Sequence, residues 1–322
     1  MGVPVLPVYM KNSGDLRGLM ALRKIIRQHR IQLINTHGSK DSWLSLPFRL
    51  AGVPVVRTRH ITDRVRPGLR HSFGYRMGCT KVVATAGFIR DTLIRDNKVK
   101  PSRIEVIGEY VDFSTFHPGV DGSAFRREFG IDDRTPLFGV VGMIRSEKGQ
   151  ATFLDAALNV LKTHPHVRFA IVGEGTGERK MENYCRTLIR ESFGGADERT
   201  TPIFMAGYRD RVQEVMAALD VVVVPSHAEA QSRVVPESFA LGRCVIASAV
   251  GGLPELVQDR VNGLLVPPRD PEKLAAAICE LADNPTLRSE MAANAAEYAR
   301  QHLSIDSRMG ETVDLYRRMI RK

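Results

Sequence analysis

Glu229 and Glu237 stand eight positions apart in Glu229-Ala-Gln-Ser-Arg-Val-Val-Pro-Glu237, shortly after the apolar run Val221-Val-Val-Val224. That run is short enough for a buried parallel strand, and Pro225-Ser226 ends it. Glu229 is therefore expected in a loop. Pro236 suits a first helical position, which places Glu237 in the opening turn of a helix through Leu241. Carboxylates where strand gives way to helix can accept hydrogen bonds from sugar hydroxyls. The free N–H groups of helix N-termini at the same sheet edge suit phosphates. A second run, Gly142-Met-Ile-Arg145-Ser-Glu-Lys148-Gly149, follows another strand pattern. It puts Arg145 in a strand-end loop, where a guanidinium can hold phosphate through two parallel N–H bonds.

These side chains need a scaffold, and the chain alternates short β-branched runs with longer helical patterns, the signature of parallel sheets covered by helices. In the first half, strands are expected at Val3 to Val8, Gln32 to Thr36, Val53 to Thr58, Lys81 to Thr85 and Ile104 to Ile107, with a helix at Leu16 to His29. A stretch rich in Gly, Asp and Pro, 112–136, breaks the pattern, with a short helix at Ser123 to Phe129 and a domain boundary near Pro118. In the second half, strands are expected at Leu137 to Met143, Val167 to Val172, Ile203 to Met205, Val221 to Val224, Val245 to Ala247 and Gly263 to Val266. From Pro271 the tail reads as helix almost to Lys322.

Length, 322 residues, allows two domains, and a hydrophobic share of 43% supports packed cores. No run approaches the roughly 20 apolar residues of a membrane span, and the N-terminus lacks a secretory pattern, so a cytoplasmic protein is expected. Cys79, Cys185, Cys244 and Cys279 are scattered, without metal or disulfide spacing, and read as small buried hydrophobes. The net charge is +10, and the segment from Arg57 to Arg103, with twelve Lys or Arg against three Asp, supplies +9 of it. Such a concentration suits an anionic partner or a solvated basic face. Arg64-Val-Arg-Pro-Gly-Leu-Arg-His-Ser-Phe-Gly-Tyr-Arg76 interleaves bases with Leu69, Phe73 and Tyr75, as a membrane-surface element does, so residues 57–103 carry the expectation of an anionic membrane surface. Nucleic acid is not expected, since no binding module is visible and aromatic content is only 7%.

Together with Val250-Gly-Gly-Leu-Pro-Glu255 and Asn262-Gly-Leu-Leu-Val266, the two opening runs form four ordered motifs, each at a strand end, and over nearly the whole chain they resemble retaining glycosyltransferases of the GT-B fold, family 4. The resemblance implies two Rossmann-like doubly wound domains: an N-terminal acceptor-side domain at 1–118, a nucleotide-sugar-binding domain at 119–305 and a last helix, 306–322, packing back on the first. Family members usually begin with a strand, a glycine-rich loop, a helix and a second strand before the segment that opens this sequence, so the N-terminal domain is expected to be incomplete. The resemblance assigns Glu237 to the nucleotide's ribose hydroxyls, Glu229 to the donor sugar, Lys148 to the diphosphate, and His60, after the strand Val53 to Thr58, to the donor or acceptor by hydrogen bonding. His37 follows another strand end as a cleft or packing residue. Gly173 opens a loop near the nucleotide, Tyr208 borders the base, and Gln231-Ser232 replace the family's common Phe-Gly beside the sugar. Met143 stands where the family has Arg, with Arg145 expected to take over its phosphate contact.

The expected activity is retaining transfer of a sugar from a nucleoside diphosphate to a glycan or lipid-linked acceptor in cell-envelope polysaccharide or lipopolysaccharide synthesis, at the inner face of the cytoplasmic membrane. No metal or other cofactor is expected, because no DxD pair or metal-ligand spacing is present, leaving Lys148, Arg145 and backbone N–H groups to neutralise the diphosphate. The alternative is a truncated, non-catalytic relative that binds a nucleotide sugar or a partner.

Overall fold

The computed structural model describes residues 3–12, 14–60, 69–175, 177, 179–197 and 200–320. The chain divides into two compact units, Met1–Gly108 with Arg308–Lys322, and Glu109–Ser307. The division falls ten residues before Pro118, because Val111 and Phe116 are buried in the core of the second unit.

The first unit runs α1 (Leu16–Gln28), β1 (Ile34–Thr36), α2 (Ser39–Leu50), β2 (Val55–Arg59), α3 (Leu69–Arg76), β3 (Lys81–Ala84), α4 (Gly87–Asn97) and β4 (Ile104–Val106). Its four strands are parallel, in the order β1-β2-β3-β4. Asp15 starts α1 by accepting the N–H groups of Arg17 and Gly18 at 3.0 and 3.2 Å, satisfying two of the donors that a helix start leaves free. Val3 to Val8 is not a strand: it joins no ladder, and Val3 and Val5 are 85% and 88% exposed. Pro4 and Pro7 remove two of the N–H donors that pairing would need.

Much of the charge of segment 57–103 is engaged inside this unit. Arg57 is buried with its guanidinium 3.9 Å from the centre of the Tyr75 ring, and Arg59 donates to the Tyr75 hydroxyl at 2.9 Å. Arg103 donates to the carbonyls of Arg76 and Cys79, and Lys81, Arg90 and Arg95 pair with Glu105, Asp91 and Asp96. Tyr75 is itself only 2% exposed, so it is not offered to a membrane surface, while Phe73 stacks on Trp43. Arg64 and Arg66 lie outside the described residues.

The second unit runs α5 (Ser123–Glu128), β5 (Leu137–Val141), α6 (Gln150–Leu161), β6 (Arg168–Val172), α7 (Lys180–Ser192), β7 (Ile203–Gly207), α8 (Val212–Ala218), β8 (Val221–Val224), α9 (Val234–Ala240), β9 (Cys244–Ser248), α10 (Leu253–Leu256), β10 (Gly263–Val266), α11 (Pro271–Asp283) and α12 (Pro285–His302). Its six parallel strands lie in the order β10-β9-β8-β5-β6-β7. One apolar cluster centred on Phe204, Leu219 and Phe239 and a second centred on Phe138, Phe153 and Phe169 pack this sheet and its helices. Strand β5 has β6 on one side and β8 on the other. The winding direction reverses between β5 and β8, and the loops leaving their carboxyl ends diverge to open a crevice there.

The final helix, α13 (Ile305–Ile320), belongs to the first unit from Arg308 onward. Leu315 and Met319 pack on Val56 and Val83, and the Tyr316 hydroxyl accepts from Asn35 Nδ2 at 2.7 Å.

Candidate functional site

The crevice at β5 and β8 gathers most of the residues singled out in the sequence. After β5 the chain passes Gly142 to Arg145, makes one 3₁₀ turn at Ser146–Lys148 and enters α6 through Gly149 at φ 74°. A Cβ on Gly149 would lie 1.9 Å from the Pro225 carbonyl oxygen, so glycine is what lets this loop close on the loop after β8. The His227 N–H donating to the Glu147 carbonyl at 2.8 Å ties the two loops together. Gly251, at φ 56°, does the same from the other side, since a Cβ there would stand 1.7 Å from the Glu229 carbonyl.

Held between these contacts, Glu229 is 8% exposed and its Oε2 lies 2.6 Å from Lys148 Nζ. Ser226 Oγ donates to the same oxygen at 3.1 Å. Two residues assigned separately to sugar and diphosphate are thus a direct ion pair. The pair borders a cavity of about 280 Å³ that Met143, Gln150 and Ser232 also line. A neighbouring cavity of about 390 Å³ is bounded by Gly173, Gly175, Tyr208 and Arg209. Both include Val141, Gly142 and Met143, so the end of β5 separates a charged compartment from one rimmed by Tyr208, which is 64% exposed. Thr176, in the loop that Gly173 opens, lies outside the described residues. Arg145 lines neither cavity; it is exposed, with Glu147 3.7 Å away.

Glu237 lies in the first turn of α9, but that helix begins at Val234, so Pro236 is its third residue instead of its first. The missing N–H of Pro236 still costs no intrahelical bond there. Burial pushes the Glu237 carboxyl up to about 7, with Arg233, 3.4 Å away, acting to lower it and Glu109 to raise it. Glu109 is the residue that sequence reasoning missed. Burial raises its carboxyl too, opposed by Arg233 and reinforced by Glu229, and its backbone N–H donates to Gln231 Oε1 at 2.9 Å. Nothing in the local sequence marks it, because it reaches this place only through the fold of the second unit. Glu109, Glu229 and Glu237 form an acidic cluster with Lys148 and Arg233 as its near cations.

His60 lies in the first unit, immediately after β2. Its Nε2 is 2.9 Å from Nδ1 of His37, which follows β1, and the two rings stack at 5.2 Å and 12°. Burial, with the charge of His37, lowers the His60 pKa. Asp41 accepts the His37 N–H at 2.8 Å and fixes the turn into α2.

Residues 135–284 match the family described as glycosyl transferases group 1, and residues 1–115 match glycosyltransferase family 4. A D-inositol 3-phosphate glycosyltransferase from Segniliparus rotundus is 37% identical over 273 residues, covering 80% of this chain and 59% of the relative. One from Frankia alni is 32% identical over 277 residues, covering 79% and 67%. The chain thus spans about six-tenths to two-thirds of the length of these curated relatives. The crystal structure of Anabaena Alr3699/HepE in complex with UDP-glucose is similar at a TM-score of 0.81 and 22% identity, covering 97% of this chain and 85% of that one. Two parallel sheets, of four and six strands, and this match establish the GT-B fold expected from the sequence.

Proposed function

The chain belongs to the group 1 glycosyltransferases, and from that premise we propose that it transfers a sugar, with retention, from a nucleoside-diphosphate sugar held at the carboxyl ends of β5 and β8. The observation that carries this reading is the Lys148–Glu229 pair, which puts one cation and one carboxylate 2.6 Å apart at the edge of a cavity at the switch point of the sheet. In this reading the base lies against Tyr208 and the Gly173 loop, the diphosphate crosses Gly142 and Met143, and the sugar reaches Glu229 and Ser232. Lys148 then faces the β-phosphate as the bond from C1 to the diphosphate oxygen breaks. Glu229 holds the lysine in place and faces the positive charge that develops on the sugar. The acceptor oxygen bonds to C1 on the face the diphosphate leaves, and its proton passes to the departing phosphate oxygen.

No metal enters this scheme; Lys148 and backbone N–H groups meet the diphosphate charge, and chelator should leave the rate unchanged. The Anabaena neighbour was crystallised with UDP-glucose, which makes a uridine donor the first to try. The curated relatives are named for inositol 3-phosphate, so a polyol phosphate replaces the cell-envelope or lipopolysaccharide glycan as the acceptor in this reading. His60, paired with His37, is assigned to hydrogen bonding with donor or acceptor. The test is incubation with UDP-glucose and inositol 3-phosphate, following nucleoside diphosphate release and the anomeric proton of the product by NMR. Release with an α-linked product supports retention; a β-linked product refutes it, and no release from any nucleotide sugar refutes the activity.

A further inference from the structure

The first unit has a cavity of its own, of about 650 Å³, larger than either cavity at the crevice and within the range of about 300–1,000 Å³ usual for small-molecule sites. It lies where β2 and β3 begin, away from the carboxyl ends that precede His37 and His60. Val53 and Pro54, which lead into β2, and Leu315 and Met319 of α13 give it apolar walls. Three cations, Arg49, Lys81 and Arg318, share that lining. Glu105 is the carboxylate paired with two of them, 2.9 Å from Lys81 Nζ and 3.7 Å from Arg318 Nη2. Arg49 Nε is buried with no hydrogen-bond partner, a donor left short of an acceptor.

We propose that this cavity binds an anionic lipid, with the acyl chain along Val53, Pro54, Leu315 and Met319 and the headgroup at Arg49 and Arg318. Each half of the site excludes a simpler occupant. A bare inorganic anion would leave the apolar walls wet, and an uncharged chain would cover the cations without pairing them. Among the described residues the lining contains no aromatic ring against which a nucleotide base could stack. Among the described residues, one carboxylate for three cations leaves a positive surplus that an anionic headgroup complements. The proposal is independent of the donor pocket, which belongs to the other unit.

Calorimetric titration of the whole chain with dodecyl phosphate below its micelle concentration tests it, beside inorganic phosphate and uncharged dodecyl maltoside. Dodecyl phosphate should bind at least tenfold more tightly than either. Arg49→Gln and Arg318→Gln should each weaken it roughly fivefold, the scale of one cation facing an anionic lipid. Glu105→Gln should tighten it by freeing Lys81 and Arg318, an outcome that a merely structural role for this carboxylate does not give. Each variant is checked for folding by its thermal transition. Equal binding of inorganic phosphate would make this an ordinary anion site, and equal binding of the maltoside an apolar one. No binding of dodecyl phosphate, or folded variants that bind it unchanged, would overturn the proposal.

Discussion

Two stretches of one loop and helix, centred on Glu229 and Glu237, surround the same side chain with different partners. Glu229 is the more buried, yet it has a lysine at 2.6 Å and a hydroxyl at 3.1 Å, so its charge is compensated where it stands. Glu237 has a guanidinium at 3.4 Å, itself largely exposed, and shares its surroundings with Glu109; burial lifts it to about 7. At Glu237, burial outweighs the lowering effect of the guanidinium beside it. The first region holds a close lysine–glutamate contact. The second holds a carboxyl whose proton is exchangeable near neutrality.

The largest expected effect breaks the fixed pair. Glu229→Gln keeps the shape but removes the charge facing the sugar, and should lower the transfer rate at saturating donor by about 10²–10³, the scale for losing one preorganised electrostatic contact. A rate within threefold of the parent would show that the pair is structural.

The next effect sharpens the second region. The folded Glu237 carboxyl, at about 7, lies above its ordinary 4.5, so the folded chain binds its proton more tightly than the unfolded chain. The stability that this group contributes is full below pH 4.5 and is lost as pH rises through 7. The loss amounts to about 3 kcal/mol if the whole shift is expressed. Glu237→Gln should flatten this slope, read as the denaturation midpoint of the second unit between pH 4.5 and 8. An unchanged slope would assign the titration to Glu109 instead.

Smaller effects lie at the rim. Tyr208→Ala should weaken nucleotide binding about tenfold, as the loss of one base-stacking ring does. Arg145→Ala, an exposed residue paired only loosely with Glu147, should alter stability by less than about 0.5 kcal/mol. A large loss of donor affinity in the Arg145 variant would restore to it the phosphate role expected from the sequence.

The strand after which Glu229 falls was legible because four valines ending at a proline leave little else for the run to be. The four motifs at strand ends carried the family and the fold for the same local reason. Val3 to Val8 misled because β-branched residues signal a strand whether or not a partner exists, and two prolines withhold the donors that pairing needs. Net charge alone did not show how the basic segment is disposed: Arg57 and Arg103 add to it equally with surface residues, although one lies over a buried tyrosine and the other donates to backbone carbonyls. Neither Glu109 nor the Lys148–Glu229 contact was visible, since 81 residues separate that pair and only the adjacency of β5 and β8 brings its loops together.

The central claim is that a nucleoside-diphosphate sugar occupies the crevice between these two regions. Calorimetric titration at pH 8 of the parent, Lys148→Met and Glu237→Gln with a panel of nucleoside-diphosphate sugars tests it most directly. One-site binding of at least one donor to the parent, weakened tenfold or more in both variants, is the expected result. Equal affinity in all three proteins, or no binding by any donor, would contradict it.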